Sequence, residues 1–250
     1  MTINPVWPFT EQPDKPRYNE GDKIATAANP VWSNDHSGVP ITDEHAPCGY
    51  WFKDYTPMAY NLLYGAGSTN SGQLGFSYDE GFDENGYIPL FVKLSDLQGW
   101  RDVSAGGYHT VAVRLNGDMW GTGDNTSYQV GLSDNDWYFD FTQIDGDDWK
   151  SAHCGRFHTI AIKNNNSIWG TGANNYGQVG VTGGAATITE FTQIGSATDW
   201  IQISCGSGAW HSAGIRGNGT KGTLWVWGRN TYGQLGQGDK VNLAVPTQVG

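Results

Sequence analysis

The 250-residue chain is rich in glycine (36), tryptophan (12) and tyrosine (12), only 16% charged, and carries a net charge of −11. Turn residues recur too densely for a long amphipathic helix, and no run approaches the roughly 18 apolar residues a membrane-spanning helix needs. Acidity spread along the chain leaves no basic patch for nucleic-acid phosphates, so neither nucleic acid nor membrane insertion is expected.

Residues 1–47, beginning "MTINPVWPFTEQPDKPRYNEGDK", contain no repeat and are rich in proline and polar side chains. They show no positively charged start followed by an apolar run, so no secretory signal is expected. This stretch is too poor in apolar residues to fold as a domain alone. It is either a disordered leader or an extended arm that docks Trp7, Phe9 and Trp32 on a neighbouring chain, which makes these three the candidate anchor residues.

From residue 48 onward the chain repeats itself, and that repetition decides how every motif is read. "GSTNSGQLG" (67–75), "GDNTSYQVG" (123–131), "GANNYGQVG" (172–180) and "GRNTYGQLG" (228–236) are one motif written four times. An aromatic residue and a glycine precede each copy. "FTQI", "FTQI" and "PTQV" follow the last three, with "LFVKL" a looser match after the first. Next come Trp100, Trp149 and Trp200, then "VSAGGYHTVAV", "AHCGRFHTIAI" and "ISCGSGAWHSAGI". The divisions fall at about 63–118, 119–167 and 168–223, with half units at 48–62 and 224–250. Each unit of about 50 residues offers four short strands. They are expected around Trp100–Ala105, His109–Leu115, Asp118–Gly121, and Gly72–Gly75 with its counterparts.

Within "SAHCGRFHTI" (151–160), His153, Cys154 and His158 have the spacing of a metal site or of a nucleophile beside its base. The repeat argues otherwise. Cys154 takes the place of Ala105 and Cys205, and His158 that of His109 and His211. A slot that accepts alanine wants a small buried residue, a role free cysteine fills. The histidine and the Thr or Ser after it are expected to bond backbone at a strand start, and the unmatched His153 to be exposed. Cys48 fits the same slot in a degenerate first unit that lacks the His-Thr pair.

Joint occurrence of Trp-Gly-x-Gly-x-Asn, Gly-Gln-Leu-Gly, Trp-x-x-Val/Ile and Cys-Gly-x-x-His-Thr/Ser over residues 59–250 resembles the RCC1 (regulator of chromosome condensation) repeats. Tyr128 stands where the repeat usually has glycine, "GSGAWHS" carries one extra residue, and "RGNGTKGTL" lengthens a hairpin. The resemblance implies an all-β propeller, seven-bladed in founding members that act as guanine-nucleotide exchange factors or protein-binding platforms. The glycine-, asparagine- and tryptophan-rich style also resembles repeats in bacteriophage virion proteins.

One such sheet cannot cover both of its faces, so neighbours stack radially. The two half units pair within one chain, pair between chains, or continue into further sequence; an open or partial ring is the preferred expectation. Loops after each Gln-Leu/Val-Gly vary most. In the first two, carboxylates accompany the candidate partner-binding residues Tyr78, Phe82, Tyr87, Trp137, Tyr138 and Phe139. These rings suit a protein or glycan partner, unless the loops pack them internally. No nucleophile elbow, phosphate loop or zinc signature is present, and "DENG" at 83–86 lacks the rest of a calcium loop. The expectation is therefore a non-enzymatic propeller with no cofactor and no metal. Its partners are the subunits of an assembly or a host-surface protein or glycan. It belongs to a phage virion as a tail, fibre, adhesin or decoration component, or else is a cytoplasmic regulatory platform.

Overall fold

In the computed structural model, residues 61–75, 87–217 and 221–250 are described, all within the unit Pro57–Gly250. Trp7, Phe9, Trp32, Cys48, Tyr78 and Phe82 lie outside the described residues. Those described form fourteen strands and no helix.

A two-stranded sheet comes first, β1 (Tyr64–Ser68) against β2 (Tyr87–Lys93). Three four-stranded antiparallel meanders follow. One holds β3 (Trp100–Ala105), β4 (His109–Arg114), β5 (Met119–Asp124) and β6 (Trp137–Ile144). The next holds β7 (Trp149–Cys154), β8 (His158–Lys163), β9 (Ile168–Ala173) and β10 (Thr187–Gln193). The last holds β11 (Trp200–Ser204), β12 (His211–Gly217), β13 (Gly222–Gly228) and β14 (Leu243–Gln248). In all three, strand order follows sequence order.

Two expectations are corrected. The fourth strand of each sheet is not the Gly-Gln-Leu/Val-Gly segment, which is a double turn. In the first copy Gly72 N–H donates to Thr69 O (2.8 Å) and Gly75 N–H to Gly72 O (2.9 Å), and the same pair of bonds recurs at Tyr128 and Gly131, Gly177 and Gly180, and Gly233 and Gly236. The fourth strand is the stretch after the loop, ending in "FTQI" or "PTQ". Trp137, Tyr138 and Phe139 are therefore strand residues rather than loop residues. The second correction concerns phase. Hydrogen-bonded sheets begin at Trp100, Trp149 and Trp200, and β13 and β14 complete the sheet that β11 and β12 start. Residues 224–250 thus supply the second half of the sheet that β11 and β12 start, and only the first sheet is partial among the described residues.

The core lies between sheets, not within them. Val111, Val113, Met119, Val130 and Ile144 of one sheet cluster with Trp149, Ala152, Cys154 and Ala161 of the next. Ile160, Ile162, Ile168, Val179 and Ile194 meet Trp200, Ile203 and Trp227 in the same way. Alternation along β4 and β8 sends Val111 and Val113, or Ile160 and Ile162, to the face the following sheet covers. Each such side chain stabilises by about 1.5–3 kcal/mol when fully buried, and a charge at Ile162 would break the seam. Val130 and Val179 plug these interfaces from the double turns, both at 0% exposure, and Leu235 takes the same place in the last sheet at 2%. Among the described residues, the first and last sheets share no strand pairing, so the described sheets form no closed ring.

Candidate functional site

The repeated histidines build seams. Thr159 hydroxyl donates to Gln129 O of the preceding sheet's double turn (2.6 Å), and His109 Nε2 lies 2.8 Å from Thr159 Oγ1. One interface later, Ser212 hydroxyl donates to Gln178 O (2.8 Å), with His158 Nε2 2.8 Å away. Thr110 repeats the first half of the pattern toward Gln73 O (2.7 Å). The hydroxyl's single proton goes to the carbonyl, so the imidazole must supply the other from a protonated Nε2. Its Nδ1 is buried without a partner at both His109 and His158. Burial holds both imidazoles at a pKa of about 3, so they are neutral at pH 7.

The expectation of a backbone bond is therefore right for the Thr or Ser and wrong for the histidine, which reaches a side chain of the next sheet. Gly155 explains the Cys-Gly-x-x-His spacing. A Cβ there would meet His158 Cε1 at 2.0 Å, because the ring lies directly over the glycine.

Cys154 and His158 do not face each other as a nucleophile and its base. The Cys154 thiol donates to Ser104 O of the preceding sheet (3.2 Å), and burial pushes its pKa up to about 12. Cys205 is half-buried with its sulfur enclosed. It donates to Ser212 Oγ (3.4 Å), and burial raises its pKa to about 12 as well. Both are free thiols. His153 is half-buried rather than exposed, and burial lowers its pKa. Among the described residues no cluster of His, Cys, Asp and Glu has the makings of a metal site.

Of the predicted partner-binding rings, the four that are described, Tyr87, Trp137, Tyr138 and Phe139, fall on the strands that close the first two sheets. Tyr87 opens β2 and Trp137 opens β6, paired with Ser68 and Asp124 at equivalent registers and exposed at 44% and 43%. Trp137 and Phe139 lie 6.4 Å apart, side by side on one face of β6. Tyr138 points the other way. Its hydroxyl donates to Asp134 Oδ1 (2.7 Å), and burial with that carboxylate pushes its pKa up to about 12.

Sequence reasoning missed a second set of rings. Tyr108, Phe157 and Trp210 each precede the seam histidine, and they form a continuous row: Tyr108 stacks on Phe157 (5.4 Å) and Phe157 tilts against Trp210 (5.3 Å). Tyr176 meets Trp210 edge-on (5.5 Å), while Arg156 lies over Phe157 and Trp210. Arg229 lies between Tyr176 and Tyr232, and Tyr232 is 81% exposed. The signal was in the sequence, as an aromatic residue directly before the histidine in all three copies.

Antiparallel four-stranded sheets packed face to face, each opened by a buried tryptophan and latched to the next by imidazole, hydroxyl and carbonyl, define a propeller-type repeat protein. The chain belongs to the RCC1 family. The Regulator of chromosome condensation (RCC1) repeat is matched in one form at residues 100–129, 150–178 and 200–234, and in another at 61–113 and 221–250. Among solved structures, human WBSCR16 matches with a TM-score of 0.64 and 20% identity, over 76% of this chain and 52% of its own. Prp20p from Saccharomyces cerevisiae, studied for its binding to Gsp1p and histones, matches with a TM-score of 0.64 and 18% identity, over 76% and 46%. The same yeast RCC1 bound to Kap60 gives 0.65, 18%, 76% and 45%. At these identities the likeness is one of fold, and the chain spans about half the length of the solved relatives.

Proposed function

We propose that this chain works by binding other macromolecules rather than by catalysis, as a structural and interaction subunit of a phage virion. Supporting a binding role is the placement of rigid aromatic side chains, Trp137 and Phe139, exposed on a strand edge with Asp134, Asp136 and Asp140 beside them in the sequence. Aromatic anchors held by a sheet lose little freedom when a partner covers them, and the carboxylates orient a partner of opposite charge. Tyr87 extends the same position to the first sheet, and Tyr78 and Phe82 precede it in the sequence. In this reading Trp7, Phe9 and Trp32 anchor residues 1–47 to an assembly neighbour. The virion assignment is supported by the style of the repeats alone. The buried, neutral histidines and high-pKa thiols hold the sheets together and offer no nucleophile.

Density-purified particles from the producing host, probed by mass spectrometry for this chain, test the assignment. Recovery in particles, lost on deletion of residues 1–47 and retained after Trp137→Ala with Phe139→Ala, separates anchoring from partner binding. The double variant should instead lose adsorption to host surface protein or glycan. Recovery only in the soluble cell fraction, with acceleration of nucleotide release from a small GTPase, would replace this reading with the regulatory one.

A further inference from the structure

The two ends of the sheet series carry unused halves of one interface. In two of the three seams between neighbouring sheets, the glycine that closes a double turn receives a phenylalanine from the fourth strand of the next sheet; in the third, Gly180 receives Trp227 of β13 instead. A Cβ on Gly75 would meet Phe141 at 2.4 Å, and one on Gly131 would meet Phe191 at 2.3 Å. Gly236 occupies that place in the last sheet, and a Cβ on it would meet nothing within 4 Å among the described residues. The surrounding face is open in part, although Leu235 is only 2% exposed. Leu224 takes the register position of Met119 and Ile168, yet it is 47% exposed where they are 0%. Gln129 and Gln178 accept a hydroxyl from the following sheet, whereas Gln234 O receives none among the described residues.

At the opposite end, β2 pairs with β1 in the register, bulge included, with which β6 pairs with β5. That register makes Phe91 the counterpart of Phe141, and Phe91 is 51% exposed beside Leu90 at 49%. One end thus offers an open glycine pocket and the other an unplaced phenylalanine of the kind that fills it.

We propose that a second copy of this chain completes the ring. Phe91 of each copy seats on Gly236 and Leu224 of the other, making two identical seams related by a two-fold axis. The arc length fits: matching the fold over 76% of its length, the chain accounts for 45–52% of the solved relatives. Two arcs therefore amount to about one complete relative, and a closed two-fold arrangement leaves no sheet face uncovered.

Sedimentation equilibrium of the full chain over a wide concentration range tests this. The expected result is a single association step to twice the 27.2 kDa chain mass. Phe91→Asp and Leu224→Arg should each weaken it by about thirtyfold or more, as for truncated central anchors. Both positions are half exposed, and unchanged circular dichroism checks that each variant folds. Mixing the two variants restores one wild-type seam per pair, so dimer should reappear in the mixture although neither variant forms it alone. A chain that stays monomeric, a dimer indifferent to both substitutions, a failure of mixing to restore it, or an unlimited ladder of higher masses would overturn the proposal.

Discussion

The sheet β7–β10 and the sheet β11–β14 carry the same signature residues but live in different surroundings. Among the described residues the first is covered on both faces and the second only on the face it turns to β7–β10. His158 is fully enclosed and bonded to Ser212, while its counterpart His211 is half-buried and has no hydroxyl partner among the described residues. Ile168 is 0% exposed and Leu224 47%. In this architecture a residue's energetic worth is set by whether a following sheet exists, not by the motif in which it stands.

Acid gives the largest expected contrast. His109 and His158 have folded pKa values near 3, depressed by burial from an ordinary 6.5. Between those values the unfolded chain binds more protons than the folded one, so stability falls as pH falls. The contribution is complete above pH 6.5 and disappears progressively toward pH 3. The two histidines together should remove on the order of 4 kcal/mol between pH 7 and pH 5. Urea unfolding at a series of pH values measures it. His158→Gln should flatten about half of the slope, whereas His211→Gln should change it little. An equal effect from both would refute the contrast between the sheets.

Next in size is a matched pair of truncations. Ile168→Ala empties a filled seam and should cost about 3 kcal/mol. Leu224→Ala at the same register should cost about 1 kcal/mol or less in dilute solution. The gap should narrow as concentration rises, since the Leu224 penalty grows once the seam is occupied.

Hydroxyl removal comes third. Thr159→Val strands both Gln129 O and the His109 N–H in a dry interface, at a cost of about 2 kcal/mol. Thr110→Val removes only the bond to Gln73 O among the described residues, and should cost about 1 kcal/mol. Thermal unfolding of the two variants side by side distinguishes them.

Much of this was legible in the sequence because a repeat averages out accident. The first three strands of each sheet, the buried tryptophans and the scaffold role of Cys154 follow from comparing copies. The fourth strand did not. It lies at the sheet edge with mixed burial, as in β6, where exposed and half-buried residues follow one another without a clean period of two. The double turn misled in the opposite direction. Its Val130, Val179 and Leu235 look like strand residues, but they are plugs held by Asn125, Asn174 and Asn230, whose Oδ1 atoms accept their N–H groups at 3.0, 3.1 and 2.9 Å. The reach of the histidines was invisible because their partners stand 50 and 54 residues away.

The smallest expected effect concerns the cysteines and separates a seam from a site. Cys154→Ala removes one sulfur from a slot that Ala105 fills at the same register, Ala105 facing Thr110 as Cys154 faces Thr159. The cavity left is about one atom in size and the lost S–H···O contact is weak, so the cost should be about 1 kcal/mol. A catalytic or zinc-binding cysteine would behave differently, because its thiolate must be populated near neutral pH. With a pKa near 12 the Cys154 thiolate is scarce at pH 8, and a disulfide reagent reaches it only when the seam opens. Its labelling should therefore slow with every substitution that tightens the seam between β3–β6 and β7–β10, and accelerate in Thr159→Val. Cys205 shares the raised pKa but belongs to the half-covered sheet, and should label faster than Cys154 in the intact chain. Labelling of Cys154 as fast as an unstructured peptide thiol, or a loss above about 3 kcal/mol on its replacement by alanine, would return it to the list of functional residues.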